Sequence, residues 1–312
     1  MRRRDSASYG KLPSRSRCTR CRKRAVVHLP SHNANFCDSC FVFFFKNAVK
    51  RALKLFPVKR DTPIMVAVSG GKDSLAAWLV LEELGFKTLG VHIDLGIPEF
   101  SQASRRAVES FAKSRALGYR VYSIVDLLGY SLPEIYKRTN RMVCAVCGTV
   151  KRQLLNRIAF QEGFRVVATG HNLDDEASRL LGNIVRHREQ YLEKSYPYLP
   201  SIGKKIPARI KPLFRVEADE IRIYCQIKGI DYFSGTCPFS RGATSHIFFE
   251  ALNFLEAEMP GTKRDFLFHF VRNHTPPETD INYKTCSKCG YPSYSDLCSL
   301  CSLKERLGNQ GD

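Results

Sequence analysis

No uninterrupted apolar run in this chain approaches the roughly 20 residues that a membrane-spanning helix needs, and no short apolar segment precedes a small-residue cleavage site near the N-terminus. The expectation is a protein of the cytoplasm or an equivalent compartment, with no membrane partner. Acidic side chains are scarce beside basic ones: 30 Asp and Glu face 49 Lys and Arg, for a formal net charge of +19. That excess is larger than solubility requires and points to a polyanionic partner, nucleic acid foremost. The phosphate-binding signature G-x-x-x-x-G-K-[ST] is missing too, which disfavours kinases and ordinary ATPases.

Cysteine, by contrast, is plentiful. Twelve of them among 312 residues, in a chain expected in a reducing compartment, read as metal or catalytic ligands rather than disulfides. Cys18, Cys21, Cys37 and Cys40 form C-x2-C-x15-C-x2-C, two knuckles that can close a tetrahedron around one zinc. Cys286, Cys289, Cys298 and Cys301 repeat the arrangement near the C-terminus. Each module is too small to fold without its metal, so two Zn2+ ions are expected.

The modules bracket an organisation of six parts. Residues 1–17 read as a disordered basic arm, 18–40 as the first zinc module and 41–60 as a basic amphipathic helix. Residues 61–240 form a catalytic domain, 241–283 a helical extension with the linker HTPPETD, and 284–312 the second module. In the helix, Phe41, Phe44, Phe45, Ala48, Ala52 and Leu55 share one arc, while Lys46, Lys50, Arg51 and Lys54 fall opposite as a phosphate-binding stripe or a solvated face. In the catalytic domain, β-rich apolar runs at 64–68, 88–93, 120–125 and 165–168 alternate with helical patterns such as 74–84 and 101–117. That alternation predicts an α/β fold, a parallel sheet flanked by helices. Residues 185–211, rich in Lys, Arg, Tyr and Pro without clean periodicity, read as a mobile basic loop. Helices are expected over 245–259 and 262–273.

Immediately after the first of these strands stands Ser69-Gly70-Gly71-Lys72-Asp73-Ser74. The glycines allow a tight turn and close approach to phosphate, and Lys72 with the following helix N-terminus supplies positive potential. The stretch resembles the SGGxDS turn of the PP-loop ATPases, which transfer AMP to a carbonyl oxygen and release pyrophosphate. That resemblance implies that Ser69 to Ser74 hold pyrophosphate and that His92 and Ile93, at the end of VHID, meet the adenine. At a later strand end, TGHNLDDEAS (residues 169–178) brings Gly170 and two carboxylates to the same sheet edge. Asp174 or Asp175 is expected to engage Mg2+ beside ATP, with helix capping the alternative role for one of them.

Four cysteines lie outside the zinc modules. Cys225, within EIRIYCQIKG, reads as a buried small apolar residue. Cys144 and Cys147 sit in MVCAVCGTVKRQ, and Cys237 lies in GTCPFS after an expected strand, DYF. The full set of motifs from Cys18 to Cys301 resembles the TtuA-type tRNA 2-thiouridine synthetases, relatives of the wobble-uridine thiolases. The resemblance implies adenylation of a uridine 2-oxygen and its replacement by sulfur, with Lys151 and Asp175 organising phosphates and metal. It further implies that Cys144, Cys147 and Cys237 bind a 4Fe-4S cluster, that a ubiquitin-like protein thiocarboxylate donates sulfur, and that the chain forms a homodimer. The 5-methyluridine at position 54 of tRNA is the favoured target, with the wobble uridine at position 34 as the alternative. CxxC spacing also permits a cluster-free persulfide mechanism, and another PP-loop tRNA chemistry such as lysidine formation would give the cysteine trio no role.

Overall fold

The computed structural model describes residues 7–10, 12–139, 143–239, 245–277 and 283–308. The first six residues of the expected arm and part of the HTPPETD linker lie outside these. The arm is not wholly irregular: β1 (Ser8–Tyr9) pairs antiparallel with β2 (Val27–Leu29), which pairs with β3 (Ala34–Phe36). This small sheet carries the first cysteine module and leads into helix α1 (Asp38–Leu53).

The central sheet then builds from alternating units. β4 (Ile64–Ala67) passes through the SGGKDS turn into α2 (Lys72–Glu83), β5 (Thr88–Asp94) into α3 (Phe100–Ser114), and β6 (Tyr119–Ser123) into the short α4 (Ile124–Leu128) and α5 (Leu132–Thr139). A long helix, α6 (Val143–Gln161), carries the CxxC on its first turns and returns the chain to β7 (Val166–Thr169) and α7 (Leu173–Val185). The segment expected as a mobile loop instead supplies sheet edge, through β8 (Tyr198–Leu199) and β9 (Ala208–Ile210). Three helices follow, α8 (Ala218–Lys228), α9 (Ser245–Glu258) and α10 (Thr262–Asn273). The last module comprises β10 (Lys284–Thr285), β11 (Pro292–Ser293) and α11 (Ser299–Gly308).

Strand order in the main sheet is β6-β5-β4-β7-β9-β8, parallel throughout except for the β8–β9 pair. The chain starts in the middle at β4, winds out to β6, then returns to lay β7 against the other side of β4. That reversal opens a crevice at the carboxyl ends of β4 and β7, where ligands of open α/β sheets bind. Because side chains alternate along a strand, Ile64, Val66 and Val68 enter one core and Met65 the other. The first core includes the N-terminal module, α1, α2 and α8; the second includes α6 and the C-terminal module. Each face of the sheet thus carries one cysteine module.

Helix α1 docks by the arc expected for it, with one exception at each polarity. Phe41, Phe45, Ala48 and Ala52 are buried, and Phe45 stacks on Tyr224 with centroids 3.9 Å apart. Leu55 lies beyond the helix end and is exposed. Lys46 is committed to Glu83 at 2.9 Å, a carboxylate that also holds Lys228 and the Tyr224 hydroxyl, so it does not join a phosphate stripe. The segment expected as a strand before Cys237, residues 231–233, has no strand pairing. Its Phe233 amide instead donates to the Gly70 carbonyl at 2.9 Å, tying the segment to the SGGKDS turn. Among the described residues no helix is long and apolar enough to cross a membrane.

The sole tryptophan, Trp78, is fully buried on α2 and donates from Nε1 to Thr88 Oγ1 at 2.7 Å. Its ring lies against Gly90 so closely that a Cβ there would come within 2.4 Å of the indole. Gly90→Ala must displace that ring, and overpacking of this kind costs about 1–3 kcal/mol. The expected result is a lower urea midpoint at unchanged slope, measured on metal-loaded protein.

Candidate active site

The SGGKDS turn leaves β4 with Gly70 at φ +80, where a Cβ would also stand 2.4 Å from the Ser104 carbonyl oxygen. Only glycine fits there. Ser74 knits the turn: its hydroxyl accepts from the Ser69 amide at 3.0 Å and donates to the Gly71 carbonyl at 3.0 Å. Gly71 caps α2 without a side-chain partner for the first amides. Those amides and Lys72 therefore form an anion cradle. Lys72 Nζ meets Asp73 at 2.6 Å, and Asn172 Nδ2 donates to the same oxygen at 3.0 Å from the β7–α7 turn. Gly170 permits this meeting, since a Cβ on it would fall 2.7 Å from the Ser74 amide nitrogen.

Beside the cradle a cavity of about 200 Å³ is lined by Val68, His92, Ile93, Phe100, Phe233 and Lys151, among others. His92 Nδ1 faces the Val68 carbonyl oxygen at 2.9 Å. A carbonyl only accepts, so the proton sits on Nδ1 and leaves Nε2 as an acceptor, buried without a partner among the described residues. Burial lowers the pKa of this histidine, so it is neutral near pH 7. Flat apolar walls with one unpaired acceptor suit a purine ring bearing an exocyclic amine.

The two adjacent carboxylates part company. Asp174 is buried: one oxygen pairs with Lys263 at 2.5 Å and the other accepts from the Ala218 amide at 2.7 Å. It joins α7 to α8 and α10, and does not face the phosphate cradle as the adenine-nucleotide site would need. Asp175 forms a capping box with Asn172. Its side chain is accessible yet walled in by the cleft, and its pKa is pushed up to about 6, by burial first, with the nearby charges of Asp73, Glu176 and Asp174 adding to the push. Two carboxylates that resist sharing charge mark the place where a divalent cation fits, between Asp73 and Asp175.

Cys144 and Cys147 lie one turn apart on α6, the former exposed and the latter half-buried. Cys144 Sγ reaches the Phe239 carbonyl at 3.5 Å, which brings the segment of Cys237 to the same helix. Burial raises the Cys147 thiol; neighbouring Lys151, which hydrogen-bonds it, opposes that rise, while Cys237 and Cys144 add to it. Lys151 therefore stands between the cysteine trio and the nucleotide cavity. The three sulfurs are not gathered as tightly as a single-ion site, and residues 140–142 and 240–244 beside them lie outside the described residues. Three thiolates bound to separate irons of one cluster need that wider spacing. Cys225 is unsuited to join them: it is fully buried behind α2, its Sγ 3.7 Å from the Lys72 carbonyl oxygen, with its pKa pushed up to about 12 by burial.

The terminal modules have the opposite geometry. In each, all four sulfurs lie within 4.8 Å of one another. Cys21 and Cys37 are 3.6 Å apart, and Cys289 and Cys298 3.7 Å apart. Four sulfurs in a tetrahedron about 2.3 Å from zinc are separated by close to this distance. Both sets fit a structural zinc with no open position. Arg157 of α6 donates to Cys289 and Cys298 at 3.2 Å each, a contact that sequence spacing does not reveal. Asn172 is a second site residue beyond the sequence expectations, although N-x-x-D ahead of an apolar helix is a readable capping signal.

The comparisons with known proteins agree with this geometry. A family model described as a PP-loop domain matches residues 45–237, and one described as the N-terminal LIM domain of 2-thiouridine synthetase TtuA matches residues 17–42. The tRNA-5-methyluridine(54) 2-sulfurtransferase of Thermus thermophilus is 38% identical, over 92% of this chain and 90% of the relative. That of Thermotoga maritima is 36% identical over 93% and 97%. The U34-tRNA thiolase NcsA from Methanococcus maripaludis, solved with its [4Fe-4S] cluster, superposes with a TM-score of 0.80 at 26% identity, covering 95% of this chain and 97% of that one. With the phosphate turn, the cysteine-bearing helix and both cysteine modules in one architecture, the chain belongs to the TtuA-type tRNA 2-thiouridine synthetases of the PP-loop superfamily.

Proposed function

We propose that this chain is an ATP-dependent tRNA sulfurtransferase that replaces the 2-oxygen of a uridine by sulfur, with 5-methyluridine 54 as its target. The observation that carries the reading is Lys151, which contacts Cys147 and lines the nucleotide cavity, so that activation and sulfur delivery share one cleft. The position-54 assignment rests on the activity of the two bacterial sulfurtransferases, whose similarity spans nearly the whole chain.

In this reading the adenine enters the cavity by His92 and Ile93, and the pyrophosphate sits on the Ser69 to Ser74 turn. Asp175 with Asp73 would hold Mg2+, whose charge would offset that of the phosphates. The uridine oxygen attacks the α-phosphorus; pyrophosphate leaves toward Lys72 and the α2 amides, whose fixed positive ends stabilise it without rearrangement. The resulting O-adenylate makes a poor leaving oxygen into AMP. A 4Fe-4S cluster on Cys144, Cys147 and Cys237, when bound, supplies an iron with an open position for exogenous sulfur. Lys151 orients the nucleotide against that sulfur and balances the thiolate charge. Family resemblance supplies the donor, a ubiquitin-like thiocarboxylate, and a homodimeric assembly. The charge of +19 supports tRNA as partner, two Zn2+ ions would complete the terminal modules, and eight cysteines gathered as metal-type tetrads rather than disulfides support the cytoplasm as the location.

Nucleoside mass spectrometry of tRNA from cells with and without the protein tests the target; 2-thiouridine at position 34 but not at position 54 would overturn the assignment. Cys144→Ser, Cys147→Ser and Cys237→Ser should each abolish thiolation in anaerobic assays while leaving ATP affinity within about 2-fold, under about 0.5 kcal/mol. Full activity without bound iron would sink the cluster and leave the persulfide route. Asp175 supplies a separate check. Its folded pKa stands above the usual carboxylate range, so its contribution to stability is present at low pH and lost as pH rises through about 6. Asp175→Asn should therefore raise the thermal midpoint of nucleotide-free, Mg2+-free protein more at pH 8 than at pH 4.5, while lowering thiolation at pH 8. An equal shift at both pH values would refute the strained-carboxylate account.

A further inference from the structure

Around Glu176 of α7, four cationic side chains converge with that one carboxylate among them. Arg179, one turn beyond Asp175 on α7, and Lys211, just past β9, both bond the same oxygen of Glu176; the lysine contact is 2.7 Å. Arg209 of β9 donates to Asn156 at 2.9 Å, and its buried Nε has no partner among the described residues. Arg152 follows Lys151 on α6 and lies close enough to Arg179 and Arg209 for the three guanidinium charges to act on one another. Glu176 and Lys211 are buried at the floor, Arg209 is half-buried, and Arg152 and Arg179 are exposed at the rim. The arrangement is a funnel whose charge is strongly unbalanced from mouth to base.

The protein resists this crowding. Burial, reinforced by Arg179, pushes Lys211 down to about 7, and burial with Arg152 lowers Arg209 to about 10. Arg179 and Lys211 share the Glu176 carboxylate, while Arg152 and Arg209 form no ion pair with an acid among the described residues, and such uncompensated charge is costly wherever it is partly buried. An anion seated among them relieves the repulsion. The funnel belongs to α6, α7 and the β9 edge, whereas the anion cradle for the nucleotide lies at the β4 end, so ATP already has its own seat. Exposed guanidinium groups present paired donors that match a phosphate.

We propose that Arg152, Arg179 and Arg209 form a seat for one phosphodiester of the RNA strand, beside the nucleotide whose base enters the cleft, with Lys211 buried beneath them on Glu176. The inference rests on the tRNA-thiolation reading and adds to it where the backbone is gripped. Placing a phosphate here fixes the register of the strand next to Asp175 and Lys151, which carries no base information but sets which base can reach the cleft.

The test measures binding of unmodified tRNA transcript to holoprotein over a series of KCl concentrations, for wild type, Arg152→Gln, Arg179→Gln and the double variant. Each lost phosphate contact lowers the slope of log affinity against log salt by about one unit. The expected result is a shallower slope and weaker tRNA binding in each Gln variant, with ATP affinity unchanged and with Arg152→Lys and Arg179→Lys restoring the slope. The proposal is overturned if the folded double variant keeps the wild-type slope, if Lys and Gln variants lose it equally, or if ATP affinity falls instead. Salt-independent tRNA binding by wild type overturns it too. Nucleoside analysis of the wild-type reaction decides the thiolation reading separately: thiolation with an unchanged slope in the variants removes only the phosphate seat.

Discussion

The whole site depends on two turns that touch where the sheet reverses direction. β4 and β7 are neighbours, so the turns leaving them must pass within van der Waals range, and Gly170, whose Cβ would meet the backbone of Asp73 and Ser74, is the residue that allows it. The contact brings Asn172 to Asp73 and sets Asp175 across from the phosphate cradle. Backbone proximity rather than any single charged contact makes the cradle and the acidic group one site. The charges could be rearranged by rotation of a side chain, but the approach of two main chains could not. This is also why neighbouring acids have unlike fates: successive residues on a helix point about 100° apart, so when Asp175 looks into the cleft, Asp174 looks back toward α8 and α10.

Helix α6 distributes this arrangement to the remaining chemistry. Its first two turns carry Cys144 and Cys147, the third Lys151 and Arg152, and the fourth Asn156 and Arg157. One rigid element therefore meets the cysteine trio, the nucleotide cavity, the cationic funnel and the C-terminal module in sequence. Functions read from separate motifs are in fact spaced along a single rod, at about 1.5 Å per residue. Errors in the placement of that rod would be felt at all four points together.

Much of this could be read before any fold was known. Apolar runs at β4, β5 and β7, the SGGKDS turn and the paired cysteines are local signals, and each reports its own neighbourhood. Pairings between distant segments are another matter. β9 is only Ala208–Ile210, too short to show a period, and exists because the edge of β7 is there to receive it. Residues 231–233 look like a strand by composition, yet the Phe233 amide is taken by Gly70 rather than by a sheet neighbour. Lys46 reads as part of a basic stripe until Glu83, from another helix, claims it. The cationic funnel is invisible for the same reason, since α6, α7 and the β9 edge each contribute only one or two of its residues.

The contact of Arg157 with Cys289 and Cys298 spans 132 and 141 positions of sequence. Ribosomes release chains from the N-terminus onward, so α6 is complete long before the sulfurs that anchor its far end have been made. Throughout that interval the cysteine-bearing helix has its packing on the sheet but not its terminal tether. The C-terminal module thus completes the mounting of the helix at the centre of the catalytic cleft, and a chain cut short before Cys298 would carry every active-site residue on an incompletely fastened support.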